Sequence, residues 1–321
     1  MRTRLTALAV VPLLVLATAC AGSDEDGGAA RNDEVATSLD GVEIDGDFGS
    51  APTITVEDFS VEEQVNAVLS EGDGPTVDPE RQTLLDLALV KGSDGDPIAS
   101  TWEVEQPLTI GPDAALIGDL ATAINEAIDG TTRGSRVAFA APAGDVVGAE
   151  ALTQFNLTAT DTVVAVLDVL SVQPDSPVAG PEGEAVKPPA GTPGVVEKDG
   201  VVTGFDWTGV GAKPTKVQVI PLVEGTGPAI TEGRLVQFDY FGEVFKGKEP
   251  FDESYTGDPI TFPVGARSLI QAWDEGLIGV TEGSRVLIIA PPDAAYGDRE
   301  QAGIPANSTL VFVLDVLDVD G

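Results

Sequence analysis

Residues 307–319 read NSTLVFVLDVLDV, and residues 160–172 read TDTVVAVLDVLSV. Each is a run of β-branched and apolar residues broken by one Asp at the same place, the composition of a strand. In the later run, alternation sets Leu310, Phe312, Leu314 and Val316 on one face and Val311, Val313 and Leu317 on the other. Both faces are apolar, so this strand is expected at the centre of its sheet.

The likeness extends upstream in the same order. LSEGDGPTV at 69–77 answers LVEGTGPAI at 222–230, and TTRGSRVAFAAP at 131–142 answers VTEGSRVLIIAPP at 280–292. Three ordered matches at an offset of about 150 residues predict two copies of one fold, the first over 51–173 and the second over 211–321. Between them, PDSPVAGPEGEAVKPPAGTP at 174–193 is dense in Pro and Gly with little to bury, which predicts a semi-rigid linker reaching to residue 210. Each copy reads as strands with little helix. The clearest helix belongs to the second copy: Ser268 is a credible N-cap, Leu269, Ile270, Trp273 and Leu277 fall near one stripe, and Gly276 or Gly279 can end it. The expected class is α+β, with each domain a twisted antiparallel sheet curled around a short helix.

Composition excludes many activities. The chain has no histidine, which removes Ser-His and Cys-His nucleophilic machinery, imidazole metal ligands and the usual general base near neutral pH. Its net charge of −36 argues against nucleic acid as a partner, because phosphate binding needs clustered Lys and Arg.

The first twenty residues, MRTRLTALAVVPLLVLATAC, place two arginines before an apolar stretch from Leu5 to Leu16 and then small residues before Cys20. That is the layout of an export signal over 1–19. The stretch is short for a bilayer span and Pro12 interrupts it, so a retained membrane helix is the weaker reading. Cys20, the sole cysteine, resembles the acylated residue of bacterial lipoproteins, although Ala17 stands where the lipobox favours Leu. The competing reading is a plain secretory signal with an incidental cysteine. Acylation at Cys20 would anchor the chain at the outer face of the cell membrane. Without Arg2 and Arg4, 15 basic residues remain against 53 acidic ones, and residues 20–50, rich in Gly, Asp and Glu, are expected to form an extended tether.

The second copy carries VQFDYFGE (236–243), EPFDESY (249–255), PVGARSLIQAWDEGL (263–277), EGSRVLIIAPPDAAYGD (282–298) and GIPANSTLVFVLDVL (303–317). Together these resemble the FKBP-type peptidyl-prolyl cis-trans isomerase domain over nearly its whole length. The resemblance implies a pocket with Trp273 as floor and Tyr240, Phe251 and Phe312 as walls, lined further by Leu269 and Ile304. It also implies that Ile270 offers its backbone N–H to substrate, that Tyr296 offers its hydroxyl, and that Asp252 is the pocket-edge carboxylate. No cofactor or metal is implied. The implied partners are proline-containing exported polypeptides, with macrolide inhibitors as pocket ligands and a monomer on its tether as the assembly.

Two features depart from the family pattern. The arginine that usually accompanies the pocket aspartate is missing from the shortened SYTGDPI loop, where Ile260 also replaces an aromatic, and Gln301 stands beside Ile304 in the shortened loop after Tyr296. The first copy lacks the aromatic box: Tyr240 aligns near Leu87, Trp273 near Ala127 or Ile128, Tyr296 near Val147, and Phe312 near Val164 or Ala165. Trp102 aligns near Phe251. The first copy is therefore expected to share the fold without the activity. The alternative function for the whole chain is a surface lipoprotein that holds a proline-containing ligand without catalysis.

Overall fold

The computed structural model describes residues 38–112, 119–175 and 177–320. The leader, Cys20 and the tether up to residue 37 lie outside the described residues.

The central strand of each copy is its apolar run, Thr162–Val172 in the first and Leu310–Val319 in the second. In the first copy, β3 (Val65–Ser70), β4 (Thr83–Lys91), β5 (Pro97–Ser100), β6 (Leu108–Ile110), β7 (Arg136–Pro142) and β8 (Thr162–Val172) form a sheet of order β3-β7-β8-β4-β5, with β6 also on β4. In the second copy, β12 (Gln218–Gly225), β13 (Arg234–Val244), β14 (Pro250–Glu253), β15 (Ile260–Val264), β16 (Arg285–Ala290) and β17 (Leu310–Val319) repeat that order as β12-β16-β17-β13-β14, with β15 on β13. All the pairings are antiparallel. Even the irregularities recur: the register shift at Leu84/Leu85 matches that at Gln237/Phe238, and the shift at Val68/Ser70 matches that at Pro221/Val223. Bulges are placed by sequence, so their repetition marks two copies of one fold.

One face of each sheet closes over a helix. The helix of the first copy, α2 (Asp119–Ile128), sets Ala123, Ile124, Ala127 and Ile128 into a core with Leu85, Leu87, Leu89 and Phe139; α3 (Ala149–Gln154) packs Ala151 and Leu152 on it, whereas the short α1 (Thr101–Val104) follows β5 beside β4. The helix of the second copy, α4 (Gln271–Asp274), is a single turn that buries Trp273 against Phe238, Val286, Ile288 and Leu314.

The opposite faces are covered as well, and here two boundaries need correcting. Residues 43–45 (β1, Glu43–Asp45) and 53–55 (β2, Thr53–Thr55) form a hairpin next to a cluster of Val56, Phe59, Val61, Val90, Ala140 and Val164. Residues 43–45 and 53–55 are thus strands, so the expected tether boundary at residue 50 cuts through a hairpin. The expected linker at 174–210 is largely structured: β9 (Gly183–Ala185) adds an edge strand to β12, and β10 (Gly194–Lys198) pairs with β11 (Val201–Asp206), whose Val202 and Phe205 pack on Phe241, Leu287 and Val311. Proline and glycine dominate the composition there, but Val195, Val202 and Phe205 were enough to seat a hairpin once an apolar sheet face lay beneath.

Both hairpins are pinned by one device. Arg136 holds Asp168 through Nε and Nη2 at 2.7 and 2.8 Å and donates from Nη1 to the Gly46 carbonyl at 2.6 Å. Arg285 holds Asp315 at 2.5 and 2.6 Å and donates from Nη1 to Glu197 at 2.5 Å. The repeat thus includes its covering hairpin.

The two copies meet at Asp320. Its carboxylate, on a residue only 4% exposed, accepts from Arg133 Nη1 at 3.0 Å, Ser171 Oγ at 2.5 Å, the Val172 N–H at 3.1 Å and Arg234 Nη1 at 3.5 Å. Ser171 Oγ in turn accepts from the Leu235 N–H at 2.8 Å.

Candidate active site

The strand β13 alternates its side chains, so Phe238 and Tyr240 face the helix while Phe241 faces the covering hairpin. Phe312 on the neighbouring β17 faces the helix too, and Trp273 rises from α4 between them. Tyr240 meets Trp273 edge to face at 5.5 Å between ring centroids, Trp273 meets Phe312 at 5.1 Å, and Phe312 meets Phe251 at 5.6 Å, all at 80–83°. Tyr240, Trp273 and Phe312 belong to one buried cluster with Ile304, and Phe251, Leu269, Ile270, Ile260 and Tyr296 pack against it partly buried. The residues selected from sequence are thus neighbours around Trp273 on the helix-facing side of the sheet.

Room for that cluster comes from a glycine. A Cβ at Gly242 would lie 2.7 and 2.8 Å from Phe251 Cζ and Cε2 and 3.1 Å from Phe312 Cδ1, closer than side chains pack. A glycine inside a strand marks such a close approach, a signal present in the sequence that the reading of it passed over.

The loop before α4 is set by Asp274, also missed from sequence. Its carboxylate accepts from the Gly265 N–H at 2.9 Å and the Leu269 N–H at 3.1 Å. Burial raises its pKa, and those two donors oppose the rise. Ser268 does not cap the helix; its hydroxyl donates to the Pro263 carbonyl at 3.2 Å, and Ile270 is the residue at the N-cap, with φ −65° and ψ 144°. Leu269 and Ile270 consequently precede the helix instead of lying on its stripe. Among the described residues, the Ile270 N–H has no hydrogen-bond partner, leaving a donor beside the aromatic floor.

Asp252 lacks the expected arginine but is still held. The Tyr240 hydroxyl donates to its Oδ2, and its Oδ1 accepts from the Glu253 N–H at 3.0 Å. Burial, then the bond to Asp252, pushes the Tyr240 phenol far above its ordinary range, and burial followed by the Asp252 charge raises Tyr296. Both phenols stay protonated at neutral pH and can donate. Trp273 Nε1 is buried with no acceptor among the described residues. Gln301 is exposed, and its backbone rather than its side chain serves the loop, exchanging hydrogen bonds with Ile304 at 3.0 Å.

The first copy fills the same space. Register places Leu87 at the position of Tyr240, Leu89 at that of Gly242, Ile98 at that of Phe251 and Ala165 at that of Phe312. Ile124, four residues before Ile128, holds the place of Trp273 four before Leu277, which corrects the alignment to Ala127 or Ile128. Trp102 is also corrected. Thr101 Oγ1 accepts from the Leu87 N–H at 2.9 Å as Ser254 Oγ accepts from the Tyr240 N–H at 2.9 Å, so Trp102 matches Tyr255, not Phe251. Its ring lies under the Arg136 guanidinium at 6.0 Å, on the other side of the sheet from the helix.

A family model described as FKBP-type peptidyl-prolyl cis-trans isomerase matches residues 227–317. An FK506-binding protein of Streptomyces anulatus is 38% identical over 112 residues, 34% of this chain and 90% of that protein. The FKBP-type peptidyl-prolyl cis-trans isomerase FkpA of Escherichia coli is 42% identical over 96 residues, and FK506-binding protein 4 of Chaetomium thermophilum is 42% identical over 95. The chain spans only 34% and 20% of the length of those two longer relatives. With its second sheet matched across nine-tenths of the Streptomyces relative, the chain belongs to the FKBP-type peptidyl-prolyl cis-trans isomerase family.

Proposed function

We propose that the second domain is a working prolyl isomerase, serving exported polypeptides at the outer face of the cell membrane from a lipid anchor on Cys20. The observation that carries the activity is the continuous chain of aromatic contacts from Tyr240 through Trp273 and Phe312 to Phe251, with the Ile270 N–H beside it. Rotating an X-Pro amide crosses a barrier near ~20 kcal/mol with no covalent bond made or broken, so a chain without histidine loses nothing. At the transition state the twisted amide has lost resonance and its carbonyl is less polar. A water-poor aromatic pocket therefore favours it over the planar ground state. The prolyl ring sits on the Trp273 indole. The Ile270 N–H and the Tyr296 hydroxyl hold the flanking carbonyls, and Asp252, oriented by Tyr240, sets the pocket edge.

The first domain is a related fold without turnover, because Leu89 and Leu87 occupy the volume that Gly242 and Tyr240 leave to the pocket. Its role is that of a spacer between tether and catalytic domain or a weak holder of clients.

Isomerisation of a short X-Pro peptide by the full chain tests the activity. Acceleration that a macrolide pocket inhibitor and Trp273→Ala both suppress is expected. A folded chain that does not accelerate the reaction, or one whose acceleration survives Trp273→Ala, overturns it. Mass spectrometry of the mature N-terminus tests the anchor, which an unmodified Cys20 thiol contradicts.

A further inference from the structure

The two sheets differ at one edge. In the second, β9 lies antiparallel along Val223, Glu224 and Gly225 of β12, and the Val186 N–H donates to the Leu222 carbonyl at 2.9 Å. Register makes Ser70, Glu71 and Gly72 the matching positions at the end of β3. Among the described residues, no strand lies along that side of β3.

The bare edge is apolar. Val68 is 49% exposed and Leu69 42%, whereas their counterparts Pro221 and Leu222 are half-buried beside β9. Leu69 also lines a cleft of about 580 Å³ with Leu39, Val42, Ile44 and Val65, open to receive side chains from whatever pairs there. Natural sheets blunt free edges with charged side chains, proline, bulges or a covering segment; Glu71 and the bulge at Val68/Ser70 stand here, but β12 carries Glu224 and the bulge at Pro221/Val223 at the same positions and still takes β9.

The charge around the edge is uniform. Residues 38–80 contain no Lys or Arg, and Glu62, Glu63, Glu71 and Asp73 are exposed at the two ends of β3. The cations beside it are committed elsewhere: Arg133 to Asp320, and Arg136, which lies opposite Ser70 in the register, to Asp168.

We propose that the β3 edge of the first domain binds an extended, cationic and apolar stretch of non-native polypeptide by strand addition, in the register that β9 takes on β12. Backbone hydrogen bonds supply the affinity, alternate apolar side chains enter the Leu69 cleft, and lysine or arginine on the outward positions meets the acids. This gives the first domain a client-holding surface that needs no proline and does not depend on turnover in the second.

A fluorescent, proline-free peptide of alternating valine and lysine, titrated into the full chain, tests the surface. Saturable binding is expected that weakens about tenfold when Val68 and Leu69 are both replaced by lysine, and that fades with rising ionic strength. Isomerisation of a short X-Pro peptide by the same variant stays at its original rate, so loss of the holding surface and loss of the isomerase reading are separable. Hydrogen exchange on the unsubstituted chain gives a second readout: peptide slows the backbone amides between Val68 and Gly72. The proposal is overturned by binding indifferent to the lysine pair, by an alternating valine–glutamate peptide binding equally well, or by amides already slow in the free chain, which would mean that the chain covers its own edge.

Discussion

Gly242 on the second sheet stands where Leu89 stands on the first, and the rings of Phe251 and Phe312 occupy the space that the Leu89 side chain fills. Elsewhere the two sheets share strand order, bulges and the Arg–Asp pair that pins each covering hairpin. The pocket is thus a local departure in a shared framework.

Replacing Gly242 by alanine should close the pocket from behind. The added Cβ falls 2.7 Å from Phe251 Cζ, so that ring must move toward the substrate side. Overpacking of this kind costs about 1–3 kcal/mol of stability. Turnover of an X-Pro peptide should fall about tenfold while thermal unfolding remains cooperative; unchanged turnover would show that Phe251 does not wall the site.

Trp273→Phe separates stacking from polarity. The change removes area from the pocket floor but also removes an indole N–H that is buried without an acceptor, a group that costs about 1–3 kcal/mol when left unpaired. Stability should therefore drop by clearly less than the about 3–5 kcal/mol typical of Trp→Ala, while turnover falls. Denaturant titrations of the two variants, run beside the peptide assay, check both halves.

The chain has three tyrosines, and all three phenols are raised above their ordinary value of 10.0. Burial is the first cause for each, reinforced by Asp252 at Tyr240 and Tyr296 and by Asp315 at Tyr255. Above pH 10 the unfolded chain releases phenolic protons that the folded chain keeps. Stability is therefore fully present below that pH and is lost as pH rises. Phenolate absorbance should appear together with the loss of near-ultraviolet circular dichroism, not ahead of it.

Asp320→Ala should loosen the joint between the domains. It leaves Arg133 without its carboxylate, leaves Arg234 with only the Leu170 carbonyl, and removes the acceptor of Ser171. Breaking one side of a buried ion pair costs about 3–5 kcal/mol. Unfolding should separate into two transitions by calorimetry, with small-angle scattering showing a wider range of inter-domain distances and peptide turnover little changed.

The sequence by itself determined the duplication and the central strands, because both depend on residue type and order: alternation reports a strand, and a repeated Asp among apolar residues reports a copy; the members of the aromatic set came from the family resemblance of its motifs. Only the tertiary structure decided that 194–206 is a hairpin on a sheet face, that Trp102 matches Tyr255, that Asp274 and not Ser268 organises the loop before α4, and that Gly242 gives room to the rings of Phe251 and Phe312. Each of those depends on what lies across from a residue in space. Proline- and glycine-rich composition says nothing of the apolar face waiting beneath it, and a glycine in a strand states only that something comes close, not what.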